Sequence, residues 1–178
     1  MSGRVPNDPP VLSFLLIDGI ARFNALAPKE AEEGLYRCLA NRRWAAEVST
    51  NRPYPDAQAL LAAAQGALNA LTDEDWVAAF KAHPRIGERG GDAPESSRRE
   101  QSHALRSPAD TLTALERDNR QYEEKFGHVF LIRAGGRSGE EILSELRRRM
   151  KNDPATEFAE ACRELAQIAT ERLSLLVS

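Results

Sequence analysis

The chain is poor in the residues that build covalent or metal-centred sites. Of its 178 residues, two are cysteine and three are histidine. Cys38 and Cys162 form neither a disulfide framework nor a metal-ligand spacing. No pair among His83, His103 and His128 has the spacing of a metal-binding helix, so no metal is expected. Both cysteines sit in apolar, helix-patterned surroundings, where Cys behaves as a small core residue. A reducing compartment, the cytoplasm, suits them. Long apolar runs are also missing. The stretch 11–17 is short, follows no basic region and is preceded by two adjacent prolines, so it suits neither a signal peptide nor a membrane span. Residues 1–15 are expected to form a loose tail and 16–178 a single domain. Charge of one sign is lacking too. With 24 basic and 27 acidic residues the net charge is -3, which gives no general attraction to nucleic acid. The densest basic run, Arg147, Arg148 and Arg149, has acidic neighbours and reads as a solvated helix face.

Strand-like alternation is almost absent, whereas helical periodicity runs nearly throughout. A first helix is expected over 17–26. Pro28, followed by Glu30, Glu32 and Glu33, opens a second, because proline and acidic residues suit a first turn. A short helix around Trp44 and Val48 must stop before Arg52-Pro53-Tyr54-Pro55. Asp56 caps an Ala- and Leu-rich helix reaching about 71, and Thr72 caps the next, which ends at His83 because Pro84 follows. Glycines at 87, 90 and 91 make a loop, and helix resumes near Ser97. Pro108 opens a longer helix that Gly127 interrupts. The run 129–132 could be a strand, but it has no second strand to pair with, so helix or extended loop is expected, ended by Gly135 and Gly136. Ser138 and Glu141 form a capping box for another helix, and a last long one starts near Pro154. The expected fold is all-α, one bundle of roughly seven to nine helices.

Three places do not fit a merely structural reading. On the last helix Phe158, Cys162, Leu165, Ala169, Arg172 and Leu176 share one face. A guanidinium on that stripe keeps its charge, so it needs an anion or several acceptors. It is either half of a buried ion pair, or a side chain reaching out near the helix end, or a group awaiting an anionic or carbonyl-rich ligand. Ser97, Glu100 and Gln101 lie at i, i+3 and i+4, one helical face that can grip a small polar ring. The same Ser-x-x-Glu spacing also fits a capping box. His83 lies at a helix end, where the dipole favours imidazolium, and imidazole is the usual proton carrier near neutral pH. His103, one turn past Arg99 and Glu100, reads as a solvated or supporting residue.

Taken in order, these places resemble the 2-oxo-4-hydroxy-4-carboxy-5-ureidoimidazoline (OHCU) decarboxylases. His83-Pro84-Arg85-Ile86-Gly87 looks like the family's His-Pro motif, and Ser97-Arg98-Arg99-Glu100-Gln101-Ser102 its Ser-x-x-Glu-Gln motif. Lys125-Phe126-Gly127-His128-Val129-Phe130-Leu131-Ile132 is similar to its Phe-Gly segment before a substrate-lining turn, with His128 where an aromatic often stands. The closing Ile168 to Leu173 resembles its final helix, with Arg172 in the place of the family's substrate-facing arginine. Trp44 and Arg52-Pro53-Tyr54 also fit, so the resemblance runs from about 23 to 173.

That resemblance implies conversion of a ureidoimidazoline to (S)-allantoin in urate degradation, without metal or organic cofactor. The substrate's own C=N can take the electrons that carbon dioxide leaves behind. It implies His83 and Glu100 as the catalytic pair. It implies Pro84, Ser97, Arg98, Arg99, Glu100, Gln101, Arg172 and the segment Ile132, Arg133, Ala134, Gly135 and Gly136 as the substrate-binding residues. A homodimer is implied by the family alone; no nucleic-acid or membrane partner is expected. Two other readings stay open: a ureide-binding protein without catalysis, and a helical interaction protein whose polar clusters are caps and ion pairs. Wide separation of His83, Glu100 and Arg172 would favour the latter.

Overall fold

The computed structural model describes residues 19–86 and 95–178, apart from the side chains of Glu95, Ser96 and Arg98. The expected tail at 1–15, the start of the first helix at 17 and the glycine loop after Ile86 lie outside the described residues. Within them the fold is all-α. In chain order the helices are α1 (Gly19–Ala25), α2 (Pro28–Leu39), α3 (Arg42–Thr50), α4 (Ala57–Asn69), α5 (Asp73–Lys81) and α6 (Glu95–Glu100). A single 3-10 turn (Ala104–Arg106) precedes α7 (Ala109–Phe126), α8 (Gly139–Arg149) and α9 (Pro154–Leu176).

Local chemistry sets most of the starts. Asn41 accepts the Trp44 amide at 2.9 Å and Asp56 the Ala59 amide at 2.7 Å. Thr72 with Asp75, and Ser138 with Glu141, close reciprocal capping boxes. Asp153 takes the amides of Ala155 and Thr156. Each such cap contributes about 1 kcal/mol. Gly127, at φ 76°, ends α7 in the left-handed region that glycine tolerates. The helix before Pro84 stops at Lys81, two residues sooner than expected, and His83 stands just beyond it.

The apolar side chains gather in two clusters. The larger joins α1 to α5 with the buried face of α9, around Leu35, Leu39, Trp44, Leu60, Phe80 and Leu165. The smaller joins α7 and α8, around Leu115, Tyr122, Ile142 and Leu146. The segment 129–134 runs between them as extended chain and pairs with no strand. Its side chains alternate like a strand's: Val129 and Leu131 enter the larger cluster, Phe130, Ile132 and Ala134 the smaller. His128 stands beside it and fills an aromatic's place, its ring 5.0 Å from that of Phe80 and 5.5 Å from that of Tyr122.

Two expectations need correction. The face that α9 buries is rotated from the stripe read in the sequence: Ala161, Leu165, Ile168, Ala169 and Leu173 are buried, while Phe158, Cys162 and Leu176 are only half-buried. Arg172 therefore lies at the edge of the apolar face. The arginine run on α8 is not wholly solvated. Arg147 and Arg148 reach solvent, but Arg149 is 1% exposed and pairs with Glu157, which is 0% exposed. Burying one charge alone costs several kcal/mol, so an arginine goes inside only where a carboxylate meets it.

Candidate active site

Arg172 is the hub of the site. Its Nε donates to Glu100 Oε1 at 2.8 Å and its Nη2 to Glu100 Oε2 at 2.8 Å, a two-pronged pair between α9 and α6. Nη2 also reaches Ser97 Oγ at 3.1 Å, and Nη1 the Cys38 carbonyl on α2 at 3.4 Å. Ser97 and Glu100 share one face of α6. The capping alternative for them does not hold: Ser97 lies inside the helix, and both side chains turn to Arg172.

His83 completes the cluster, with Nε2 3.4 Å from Arg172 Nη1. Its Nδ1 lies 2.8 Å from the Ala79 carbonyl. A carbonyl only accepts and a guanidinium only donates, so the two partners specify one tautomer. Nδ1 carries the hydrogen, and Nε2 presents a lone pair to the site. A helix end by itself favours imidazolium, but the His83 pKa lies below the ordinary 6.5. Burial is the main cause, opposed by the Ala79 bond and reinforced by the Arg172 charge. The magnitudes explain the outcome. A helix C-terminus favours a cation by about 0.3–1 kcal/mol, against several kcal/mol for burying one. Cys38, next to this cluster, has its thiol pushed up to about 11 by burial, so no reactive thiolate stands in the wall.

His83, Pro84, Ser97, Glu100 and Arg172 form a wall common to two cavities. The smaller, also lined by Ile86, Gln101, Phe130, Leu131, Ile132, Ala134 and Ile168, has a volume of about 20 Å³, little more than one water requires. The larger opens between α2, α6 and the end of α9, with a volume of about 610 Å³. Arg99 and Arg37 stand on its rim.

The residues expected at the site thus divide. His83, Pro84, Ser97, Glu100, Gln101, Ile132, Ala134 and Arg172 come together, and Arg99 borders the larger space. Arg133 turns away to Glu171, and Gly135 and Gly136 are exposed and line neither cavity. Arg98 belongs to α6, but its side chain lies outside the description. His103 is exposed, with Nδ1 against the Arg137 carbonyl. Reading the sequence missed the apolar wall of Ile86, Phe130, Leu131 and Ile168, whose residue types are those of any core. It also missed the Cys38 carbonyl, since backbone groups leave no mark in sequence.

The family model described as OHCU decarboxylase matches residues 24–174. A uric acid degradation bifunctional protein of Arabidopsis thaliana is 33% identical over 147 residues, which cover 79% of this chain and 45% of that protein. The chain therefore spans less than half the length of that relative. A 2-oxo-4-hydroxy-4-carboxy-5-ureidoimidazoline decarboxylase of Amia calva is 32% identical over 138 residues, covering 75% of this chain and 79% of the relative. Among solved structures, an OHCU decarboxylase crystallised in the presence of (S)-allantoin superposes with a TM-score of 0.73 at 32% identity, covering 82% of this chain and 97% of that one.

Proposed function

The chain belongs to the OHCU decarboxylase family, and from that premise we propose that it decarboxylates 2-oxo-4-hydroxy-4-carboxy-5-ureidoimidazoline to (S)-allantoin, a step of urate degradation. The observation that carries the reading is the convergence of His83, Glu100 and Arg172 from three separate parts of the chain. An interaction protein has no use for an imidazole held as a free base beside a cavity.

The chemistry asks little of the protein beyond placement and proton handling. The bond to the carboxylate carbon breaks, and its electron pair moves into the ring C=N. The ring nitrogen takes up one proton. The enol that remains loses its hydroxyl proton and gains a proton on the carbon bearing the ureido group. His83 Nε2 is set to accept the hydroxyl proton and, as imidazolium, to return a proton to carbon on one face. Glu100 keeps lone pairs free beyond its two bonds to Arg172, and these can hold the hydroxyl. Arg172 presents a planar fork to a carboxylate or ring oxygen. Ser97, Gln101 and the Pro84 turn border the ring. The amides of Ile132 and Ala134 find no partner among the described residues and suit the ureido or carbonyl oxygens. Orientation and charge placement of this kind lower a barrier by several kcal/mol.

This reading needs no metal or organic cofactor, since the electron sink belongs to the substrate. It places the protein in the cytoplasm, which its two free thiols suit. Self-association as a homodimer is part of the reading on family grounds, and light scattering at micromolar concentration should give the dimer mass. The direct test is circular dichroism of allantoin formed from freshly oxidised urate. With the protein present the S-enantiomer should accumulate faster and in excess. An unchanged rate and a racemic product would leave a ureide-binding protein as the better description.

A further inference from the structure

The wall at 129–134 raises a question that the His83 cluster does not answer. It is extended chain without a sheet partner, so its peptide groups must be held by something other than a ladder. Three side chains do this: His128 Nδ1 lies 3.0 Å from the Val129 carbonyl, and two more hold the peptides that flank Ile132. Arg149 Nη1 donates to the Leu131 carbonyl at 2.7 Å, and Glu164 Oε2 accepts the Arg133 amide at 2.7 Å.

The planarity of the peptide gives these two bonds their consequence. In a trans peptide the carbonyl of one residue and the N–H of the next point in opposite directions from one rigid plate. Holding the Leu131 carbonyl toward Arg149 turns the Ile132 N–H the other way. Holding the Arg133 N–H toward Glu164 turns the Ile132 carbonyl away from Glu164. Neither backbone group of Ile132 has a partner among the described residues. Ile132 lines the same small cavity as His83 and Arg172. Its amide and carbonyl are thus an oriented donor and acceptor, aimed by two side chains from behind.

Arg149 is itself fixed. Glu157 Oε1 accepts from its Nε at 2.9 Å and from its Nη2 at 2.5 Å. The Tyr122 hydroxyl donates to the same oxygen, and Asn152 Nδ2 donates to Oε2 at 2.8 Å. The guanidinium also lies 4.6 Å from the centre of the Phe130 ring. Replacing a buried ion pair by an apolar pair of similar volume is often neutral or stabilising, but here it would leave the Tyr122 hydroxyl and the Leu131 carbonyl without partners. What an apolar pair cannot do is hold the Leu131 carbonyl.

We propose that Arg149, locked by Glu157, and Glu164 are positioning residues that aim the backbone N–H and C=O of Ile132 at the substrate. The proposal rests on the decarboxylase reading for its substrate. It adds that ring or ureido recognition at this wall is set by α8 and α9, not by the loop sequence alone.

The test uses the full chain with Glu164→Ala, Arg149→Lys and the pair Arg149→Met with Glu157→Leu. Turnover of freshly oxidised urate gives kcat and KM. The Ile132 amide resonance is followed in ¹⁵N-labelled protein titrated with (S)-allantoin. The expected result is a rise in KM and a fall in kcat/KM of about 10- to 100-fold, with the pH profile of kcat/KM unmoved because His83 is untouched. The shift of the Ile132 amide on adding (S)-allantoin should shrink, while Glu164→Ala keeps its helical spectrum. Wild-type KM and an undiminished Ile132 shift in Glu164→Ala and Arg149→Lys would overturn the proposal. So would lower melting temperatures as their only effect, which would leave the network a purely structural role. The Ile132 resonance reads the proposal even in a chain that shows no turnover.

Discussion

Two arginine–glutamate pairs in this molecule use the same Nε and Nη2 donors, on one oxygen of Glu157 but on both oxygens of Glu100, and have opposite characters. Arg149 and Glu157 are fully enclosed, and their hydrogen-bonding groups are met by Tyr122, Asn152 and the Leu131 carbonyl. Arg172 and Glu100 are also two-pronged, yet their side chains are 10% and 28% exposed and border a cavity. Beside them His83 Nε2 has only a long contact to Arg172. The first pair is closed off from any ligand. The second keeps unfilled lone pairs and stands beside a base whose pKa is lowered, mainly by burial. The ion pair is common to both; reactivity depends on what is left unsatisfied around it.

The largest effect should come from removing that base. His83→Ala should lower kcat about 10²–10⁴-fold while (S)-allantoin binding and the helical spectrum stay close to wild type. Full turnover in this variant would remove His83 from the mechanism, and unfolding would move it into the core's account.

Stability should separate the two pairs next. Arg149→Ala leaves the buried Glu157 charge without its countercharge, and should destabilise by about 3–5 kcal/mol in denaturant unfolding. Arg172→Ala should cost far less, because Glu100 can turn to water. Equal losses would erase the distinction between them.

Much of this contrast was hidden in the sequence, for identifiable reasons. Asp56, Thr72 and Ser138 were legible as caps because a cap is completed within three residues. His83, Glu100 and Arg172 stood out by their motifs and by a charge on an apolar stripe. Arg149 did not, since an arginine among acids reads alike on a surface and in a core; its burial depends on Glu157 across the α8–α9 turn and on Tyr122 from α7. The rotated face of α9 has a related cause. Both stripes contain Leu165 and Ala169, and periodicity alone does not say which flank meets the other helices. Ser97 and Glu100 carried two meanings at one spacing, and only the start of α6 ahead of Ser97 decides between them. Sequence alone does not choose between helix and extended loop at 129–134, because the partners that fix this wall lie in other helices.

A smaller effect concerns the shape of the charge. Arg172→Lys keeps the charge but not the planar fork. It should weaken (S)-allantoin binding roughly tenfold, about 1.4 kcal/mol, measured by calorimetry. If Arg172→Lys binds as the wild type does, the fork is not used in recognition.

The smallest effect is on stability against pH, and its sign follows from the lowered His83 pKa. Between the folded pKa and the ordinary 6.5 the unfolded chain binds more protons. The contribution is therefore fully present above 6.5, is lost as pH falls through the folded pKa, and has no further to fall below it. His83→Asn should flatten this part of the denaturation profile. A profile unchanged by the substitution would mean that His83 titrates alike in both states.

The protonation state of His83 in the folded protein carries the whole contrast, and ring-¹⁵N resonances of histidine-labelled protein read it directly. At pH 7, about half a unit above an ordinary imidazole, His83 should show a protonated Nδ1 and a bare Nε2, with a titration midpoint below 6.5. A His83 that is imidazolium at that pH, or that carries its hydrogen on Nε2, would contradict the account.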